Sequence, residues 1–152
     1  MTQSGPQAFA SRASVHVDSH RRVPIDPNML KKDQVTGQVL GPSSGVFVPK
    51  PGEDGLSVYG DAELRASGYG PQDVAAAGRK PSVVAGIPTS TIESSDLLTT
   101  SDPTDEDRIG HAHRLIQGWE KLGSKAARRV ARALAEASLC THPEGDWSQV
   151  PL

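Results

Sequence analysis

The pair His111 and His113 is the first feature of the sequence that could carry chemistry. Side chains two positions apart on a β-strand point to the same face, so a strand here would present both imidazoles together. Imidazole nitrogens are common zinc ligands, and such a pair is typical of metal-assisted hydrolases and nucleases. A metal site needs a further ligand, and the spacing nominates none. His111 and His113 are therefore candidates for a catalytic or metal role, with no metal or other cofactor assigned.

Four cations, three and four positions apart, form the second candidate site. They lie in segment 125–139, which is rich in good helix formers and predicts an amphipathic helix after Gly123. A row of cations on one helix face can contact a nucleic-acid backbone. A pI of about 6.2 and the absence of aromatic residues from this segment favour a face that contacts solvent or docks on the chain's own acids. The four cations are Lys125, Arg128, Arg129 and Arg132.

Trp119 and Trp147 are the third candidate site, because large aromatic side chains often anchor protein interfaces. Trp147 lies in a polar C-terminal segment, so it either folds back on the domain or inserts into a partner. Together with the four cations, the two tryptophans are the residues predicted to bind a partner protein.

The remaining nucleophiles and acids form no recognisable catalytic motif. Cys140 follows the predicted helix, and the C-terminal end of a helix disfavours a thiolate, so we expect an inert thiol. Asp18 lies near His16 and His20 in the sequence, but no spacing pattern supports an acid–base role there.

The elements that must position these residues are short. Two extended runs, 46–48 and 56–59, flank a Gly-rich turn and predict a β-hairpin. Segments 62–67 and 72–77 predict two short helices, the first capped by Asp61. The best single strand candidate is 82–87, because Val and Ile are concentrated there between two prolines.

Two later segments are less regular. The segment 89–104 is rich in Ser, Thr and Asp and predicts a loop with one helical turn near 96–98. The segment 103–119 fits two structures: the acids after Pro103 are typical of a helix start, whereas 111–117 between two glycines fits a strand. We favour the strand.

These elements predict an α+β fold, in which a small, mostly antiparallel sheet carries short helices and the C-terminal amphipathic helix packs on it. Residues 1–21 are expected to form a disordered or extended arm. Residues 22–140 are expected to form a single α+β domain, and residues 141–152 an irregular tail.

Composition excludes several classes of protein. The chain has 152 residues and one cysteine, which cannot form an internal disulfide. No apolar stretch is long enough to span a bilayer, and the N-terminus lacks the basic start and apolar run of a signal peptide. These features predict a cytoplasmic protein without a membrane partner. Acids outnumber bases in 51–110 and bases outnumber acids on either side, so the fold could be self-complementary.

The leading functional prediction is a small, non-enzymatic binding or accessory protein of bacterial or phage type that acts through protein–protein contacts. Its partner is expected to be another protein or a second copy of itself. One alternative is a metal-assisted hydrolase or nuclease that uses the histidine pair. Another is a nucleic-acid-binding protein that uses the basic helix. The leading prediction depends on an interior too small to shape a reactive cavity.

Overall fold

The computed structural model describes residues 15–152 and shows an α+β fold. The strands are β1 (Val17–Pro24), β2 (Leu30–Lys32), β3 (Val39–Pro42), β4 (Leu56–Gly60), β5 (Ser82–Pro88), β6 (Leu98–Ser101), β7 (His113–Gln117), β8 (Leu139–His142) and β9 (Glu144–Gly145). The helices are α1 (Asp61–Ala66), α2 (Pro71–Ala76), α3 (Thr89–Ser94) and α4 (Ser124–Ala137). Short 3-10 turns cover Ser44–Phe47, Gly110–Ala112, Trp119–Lys121 and Trp147–Gln149.

Seven strands form the main sheet in the order β6-β7-β4-β1-β5-β8-β9, and every neighbouring pair is antiparallel. Strands β2 and β3 form a separate antiparallel pair. The predicted fold class is therefore confirmed. Within the main sheet, β1 lies between β4 and β5, which makes it the central strand.

Helices cover both faces of the main sheet. Val83 and Ala85 of β5 belong to the apolar cluster that includes Leu134 of α4. Val84, between them, belongs to a second cluster with Leu64 of α1. Because neighbouring strand residues point to opposite faces, β5 is buried on both sides, as its continuous apolar run predicts.

The C-terminal helix packs through its small and apolar side chains, as predicted. Ala131 and Leu134 of α4 are fully buried. Part of this packing is against the 3-10 turn Ser44–Phe47, whose Phe47 is also fully buried, and part is against β3 and β5. Helix α4 is therefore held by its apolar stripe, and its opposite face is left to solvent.

The folded body extends beyond the predicted boundaries at residues 22 and 140. The central strand begins at Val17, and the segment 141–152 contributes the end of β8, strand β9 and a 3-10 turn. Trp147 and Val150 are both buried. The prediction of an irregular tail is wrong. It was based on the polarity of the neighbouring residues, whereas the large indole of Trp147 packs against residues that are far away in the sequence.

Two other local predictions are also wrong. The expected hairpin does not form: residues 46 and 47 lie in a 3-10 turn, and β4 pairs with β1 and β7. Arg21 of β1 donates to the Val46 carbonyl oxygen at 2.8 Å, a long-range contact that local patterns do not show. The segment 89–104, expected to be a loop, contains α3 and β6.

Candidate functional sites

Helix α4 presents the four predicted cations to solvent. Their side chains are all exposed, and no acid within residues 15–152 forms an ion pair with any of them. Of the two arrangements that the sequence left open, a solvated face and a face docked on the chain's own acids, the described residues show the solvated face. We call this surface the basic face; it consists of Lys125, Arg128, Arg129 and Arg132.

A groove of 290 Å³ runs beside the basic face, between α4 and the small β2–β3 sheet. Lys31 and Arg132 contribute positive charge to its lining, and Glu136 contributes one acid. Leu40 lines the same groove and is 53% exposed, although it is a large apolar side chain. We call this feature the Trp147 groove, since that indole forms part of its wall.

Trp147 folds back on the domain, which was one of its two predicted positions. The side chain is 9% exposed, and its indole N–H donates to the Ser138 carbonyl oxygen at 3.2 Å. A side chain at Gly41 would lie within 3.9 Å of the indole. Trp147 is therefore a fixed wall of the groove, and it is not free to insert into a partner's pocket.

Trp119 lies beside the same helix but in different surroundings. It is half-buried, and its indole N–H donates to the Ile116 carbonyl oxygen at 2.9 Å. It lines a second groove of 620 Å³ together with Val48 and Ala127 of α4. The structure thus gathers all six predicted partner-binding residues on or beside α4.

The histidine pair does not share a strand. His111 lies in the 3-10 turn Gly110–Ala112, and its Nε2 is 3.3 Å from the Glu63 carbonyl oxygen. The turn forms because the amide of Ile109 donates to the side chain of Asp107, which tightens the chain just before the strand. The predicted strand is confirmed only from residue 113 onward.

His113 begins β7 and faces different neighbours. Its Nδ1 lies 2.9 Å from the carbonyl oxygen of Asp102 and 3.1 Å from the carboxylate of the same residue. Its ring packs edge-on against Tyr59. Within residues 15–152, no cluster of three or more His, Cys, Asp or Glu side chains could hold a metal ion.

A third histidine, His20, occupies a site that the sequence reasoning missed. His20 lies on β1 and is 2% exposed. Its Nε2 is 2.8 Å from Asp61 Oδ1, and its Nδ1 is 3.2 Å from Thr141 Oγ1. Arg65 donates to the other Asp61 oxygen at 2.8 Å. We call these residues the His20 relay: Arg65, Asp61, His20 and Thr141.

The electrostatics of the relay fix its proton positions. Burial raises the pKa of Asp61, but hydrogen bonds from Arg65 and His20 outweigh burial, and the net shift is downward. Asp61 is therefore a carboxylate, which can only accept, so His20 Nε2 carries the ring proton. Burial lowers the pKa of His20 more than the Asp61 carboxylate raises it, so the ring is neutral at pH 7.

Gly86 leaves the space in which Thr141 lies beside His20. Gly86 pairs with His20 across the sheet, and a Cβ at this glycine would lie 2.5 Å from the Thr141 methyl group. The Thr141 hydroxyl donates to the Val84 carbonyl oxygen at 3.3 Å and also lies 3.2 Å from His20 Nδ1. Since Nδ1 of His20 bears no proton, it can accept from the hydroxyl when the single hydroxyl proton turns from Val84 to the ring.

The relay borders an open cleft of 900 Å³. His16 and His142 line this cleft together with members of the relay, and Tyr69 contributes an aromatic wall. The cleft is open rather than enclosed, but it brings imidazoles and a carboxylate together. The expectation that the interior is too small to shape a reactive cavity stays a prediction, since an enclosed cleft was the observation that would overturn it and this cleft is open.

The spacing of these residues explains why they were missed. His20, Asp61 and Thr141 are brought together by pairing of β1 with β5 and of β5 with β8. Asp61 was predicted to cap α1, but it is the first residue of that helix and its carboxylate makes no capping bond. The one local signal was the glycine within the valine-rich strand β5, which indicates a close approach of another group.

Among the described residues, Arg114 makes the largest number of hydrogen bonds to acidic side chains. It bonds to Asp18 Oδ2 at 2.8 Å and, through two nitrogens, to both carboxylate oxygens of Glu63. The Arg114 side chain is 16% exposed. These bonds fasten β7 to β1 and α1, which position the two relay residues His20 and Asp61.

Cys140, which is expected to be inert from its position after the helix, lies in β8. It is buried, and its thiol donates to the Pro143 carbonyl oxygen at 3.1 Å. Burial raises the pKa of the thiol to about 11, so the nucleophilic thiolate is scarce at neutral pH.

No protein-family model matches this sequence, and comparisons with curated proteins and with solved structures give no match. Among residues 15–152, no helix is both long and apolar enough to cross a membrane.

Proposed function

We propose that this protein is a binding module that holds an acidic protein segment along α4, with one apolar side chain of that segment in the Trp147 groove. The observation that carries the proposal is the basic face, four exposed cations that no acid of the described chain neutralises. Unpaired charge of one sign attracts partners of the opposite sign and speeds their encounter.

Helical spacing connects the charges to the groove. Arg132 lines the Trp147 groove, and Arg128 lies one turn before it on the same side of α4. Across the groove, Lys31 adds a further cation. An extended acidic segment in the groove would therefore contact positive charge on both sides.

The apolar part of the groove favours a protein over a nucleic acid. Leu40 is largely exposed although it lies beside a buried tryptophan, an arrangement that suits an apolar side chain of a partner. A nucleic-acid site would instead offer exposed aromatic faces for stacking, and Trp147 is buried. The basic face alone would serve either partner, so the exposed Leu40 is the feature that favours a protein.

Fluorescence titration tests the proposal. In a Trp119→Phe background, Trp147 is the remaining tryptophan and reports on its groove. The probe is a synthetic peptide of Glu and Gly with one central Leu, and its control replaces that Leu with Gly. We expect the Leu peptide to bind more tightly and the double variant R128Q/R132Q to weaken binding about tenfold, as the loss of two rim charges implies.

The matched control is R79Q/K80Q, which removes two exposed cations remote from α4 and should leave the affinity unchanged. Absent binding, or equal weakening in both double variants, would contradict the proposal. If a single-stranded oligonucleotide bound with the same affinity as the Leu peptide, and Leu40→Ser left that affinity unchanged, the site would be assigned to nucleic acid instead of a protein. A second copy of the chain is the other partner to consider, and sedimentation velocity at rising concentration reports it directly.

A further inference from the structure

We propose that the His20 relay is an acyl-transfer site, in which Thr141 is the nucleophile, His20 the general base and Asp61 the positioning residue, for carboxylic esters that enter the adjacent cleft. This activity is independent of the binding function proposed for α4.

The relay has one defined direction. The Asp61 carboxylate accepts from His20 Nε2 at 2.8 Å, which leaves Nδ1 as an acceptor facing the Thr141 hydroxyl at 3.2 Å. A hydroxyl, an imidazole and a carboxylate in this sequence are the parts that activate an alcohol as a nucleophile. The two ring nitrogens are exchanged relative to Ser-His-Asp triads, where Nδ1 faces the carboxylate.

One side of the relay is packed inside the protein, and the other side faces the open cleft. His20 is buried, and Gly86 leaves room for the Thr141 methyl group, which keeps the Thr141 oxygen within 3.2 Å of the ring. Thr141 and Arg65 both line the open cleft. Arg65 bonds to Asp61 at the end of the relay opposite Thr141, so it acts on the reacting end only through Asp61 and His20.

The reaction balances with water as the only co-reactant. Thr141 Oγ1 forms a bond to the ester carbonyl carbon while its proton passes to His20 Nδ1. The bond from that carbon to the alcohol oxygen then breaks, and the alcohol leaves with the proton from His20. Water attacks the acyl-threonine in the same manner, which releases the carboxylic acid and returns the proton to Thr141.

The test uses 4-nitrophenyl acetate and the full chain. We expect release of 4-nitrophenolate and one acetyl group on Thr141, located by peptide mass spectrometry. Thr141→Val should abolish this adduct, and Thr141→Ser should retain it. His20→Gln should slow acylation about 100-fold or more, as expected for loss of a general base. His111→Gln is the matched control, because that exposed histidine lies outside the relay and the cleft.

The pH profile separates a chemical role from a structural one. The base must be neutral, and burial lowers the pKa of His20 from 6.5, so the rate should reach half its maximum below pH 6.5. Asp61→Asn should move this midpoint lower still, because the carboxylate favours the protonated ring. An unacylated wild-type Thr141, or acetylation of Thr141→Val at the wild-type rate, would overturn the proposal. Circular dichroism of Thr141→Val, which keeps the side-chain shape, excludes unfolding as the cause of a loss.

Discussion

The α1 side and the α4 side of the main sheet use charge in opposite ways. Around α1, several charged side chains are partly or wholly buried and paired, as in His20 with Asp61 and Arg114 with Glu63. Arg22 on the same face is the exception, because one of its guanidinium nitrogens, Nη2, is buried without a hydrogen-bond partner. On α4, the basic face is exposed and lacks ion pairs with the described residues.

The paired charges stabilise the fold itself, whereas the unpaired charges are available to a partner. Breaking a buried charge pair costs several kcal/mol, so the pairs on the α1 side hold its geometry. An exposed cation loses little by being unpaired, so the α4 side keeps its charges for a partner. The α1 side is therefore suited to holding reacting groups, and the α4 side to recognition.

The largest effect is expected from Leu134→Ala, which removes the apolar anchor beneath the basic face. Leu134 is fully buried, and such a truncation costs about 2–5 kcal/mol of unfolding free energy. Urea denaturation measures the change, with Ala133→Ser on the exposed side of the same helix as control. A loss below about 1 kcal/mol would show that α4 is not held by its apolar stripe.

Arg114→Gln and Arg129→Gln compare the two sides directly. Loss of Arg114 leaves Asp18 and Glu63 without their charged partner, so unfolding free energy should fall by about 2 kcal/mol. Loss of the exposed Arg129 should change it by less than about 0.5 kcal/mol. Equal losses in the two variants would remove the distinction between paired and unpaired charge.

Mild acid should weaken the fold through the α1 side. Burial lowers the folded-state pKa of His20, so between pH 6.5 and that lower value the unfolded chain binds a proton that the folded chain excludes. His20 therefore costs no stability above pH 6.5 and reduces stability as the pH falls. Asp61, with its lowered pKa, adds a further loss only near and below pH 4.

The comparison of wild type with His20→Gln measures this effect by urea denaturation at pH 7.5 and pH 5.5. The variant should be less stable at both values but should lose less on acidification than the wild type. A parallel loss in the two proteins would assign the acid sensitivity to other groups.

The smallest effect concerns Cys140, which should react with iodoacetamide far more slowly in the folded protein than in urea. Its raised pKa and its burial both suppress the thiolate. Mass spectrometry over time at pH 8 measures the labelling. Rapid labelling of the folded chain would show that this edge of the sheet opens readily.

The sequence predicts those parts of the molecule that depend on neighbouring residues. The apolar stripe of α4, the valine-rich strand β5 and the two short helices α1 and α2 follow from local spacing and turn residues. The basic face follows from the same spacing, because cations three and four apart on a helix share a side.

The relay and the groove could not be predicted in that way. His20 and Thr141 are 121 positions apart and meet through β5, which pairs with both of their strands. The polar segment around Trp147 does not indicate its surroundings, because these come from Gly41 and Ser138. Strand order decides such contacts, and it is a property of the whole chain rather than of a window.

The most direct test of the account is amide chemical-shift mapping by ¹⁵N NMR during titration with the acidic Leu peptide. We expect chemical-shift changes along α4 and at Leu40 and Lys31, with the amides of His20 and Asp61 unchanged. Shifts centred on His20 and its cleft, or spread evenly over the surface, would contradict the assignment of recognition to the α4 side.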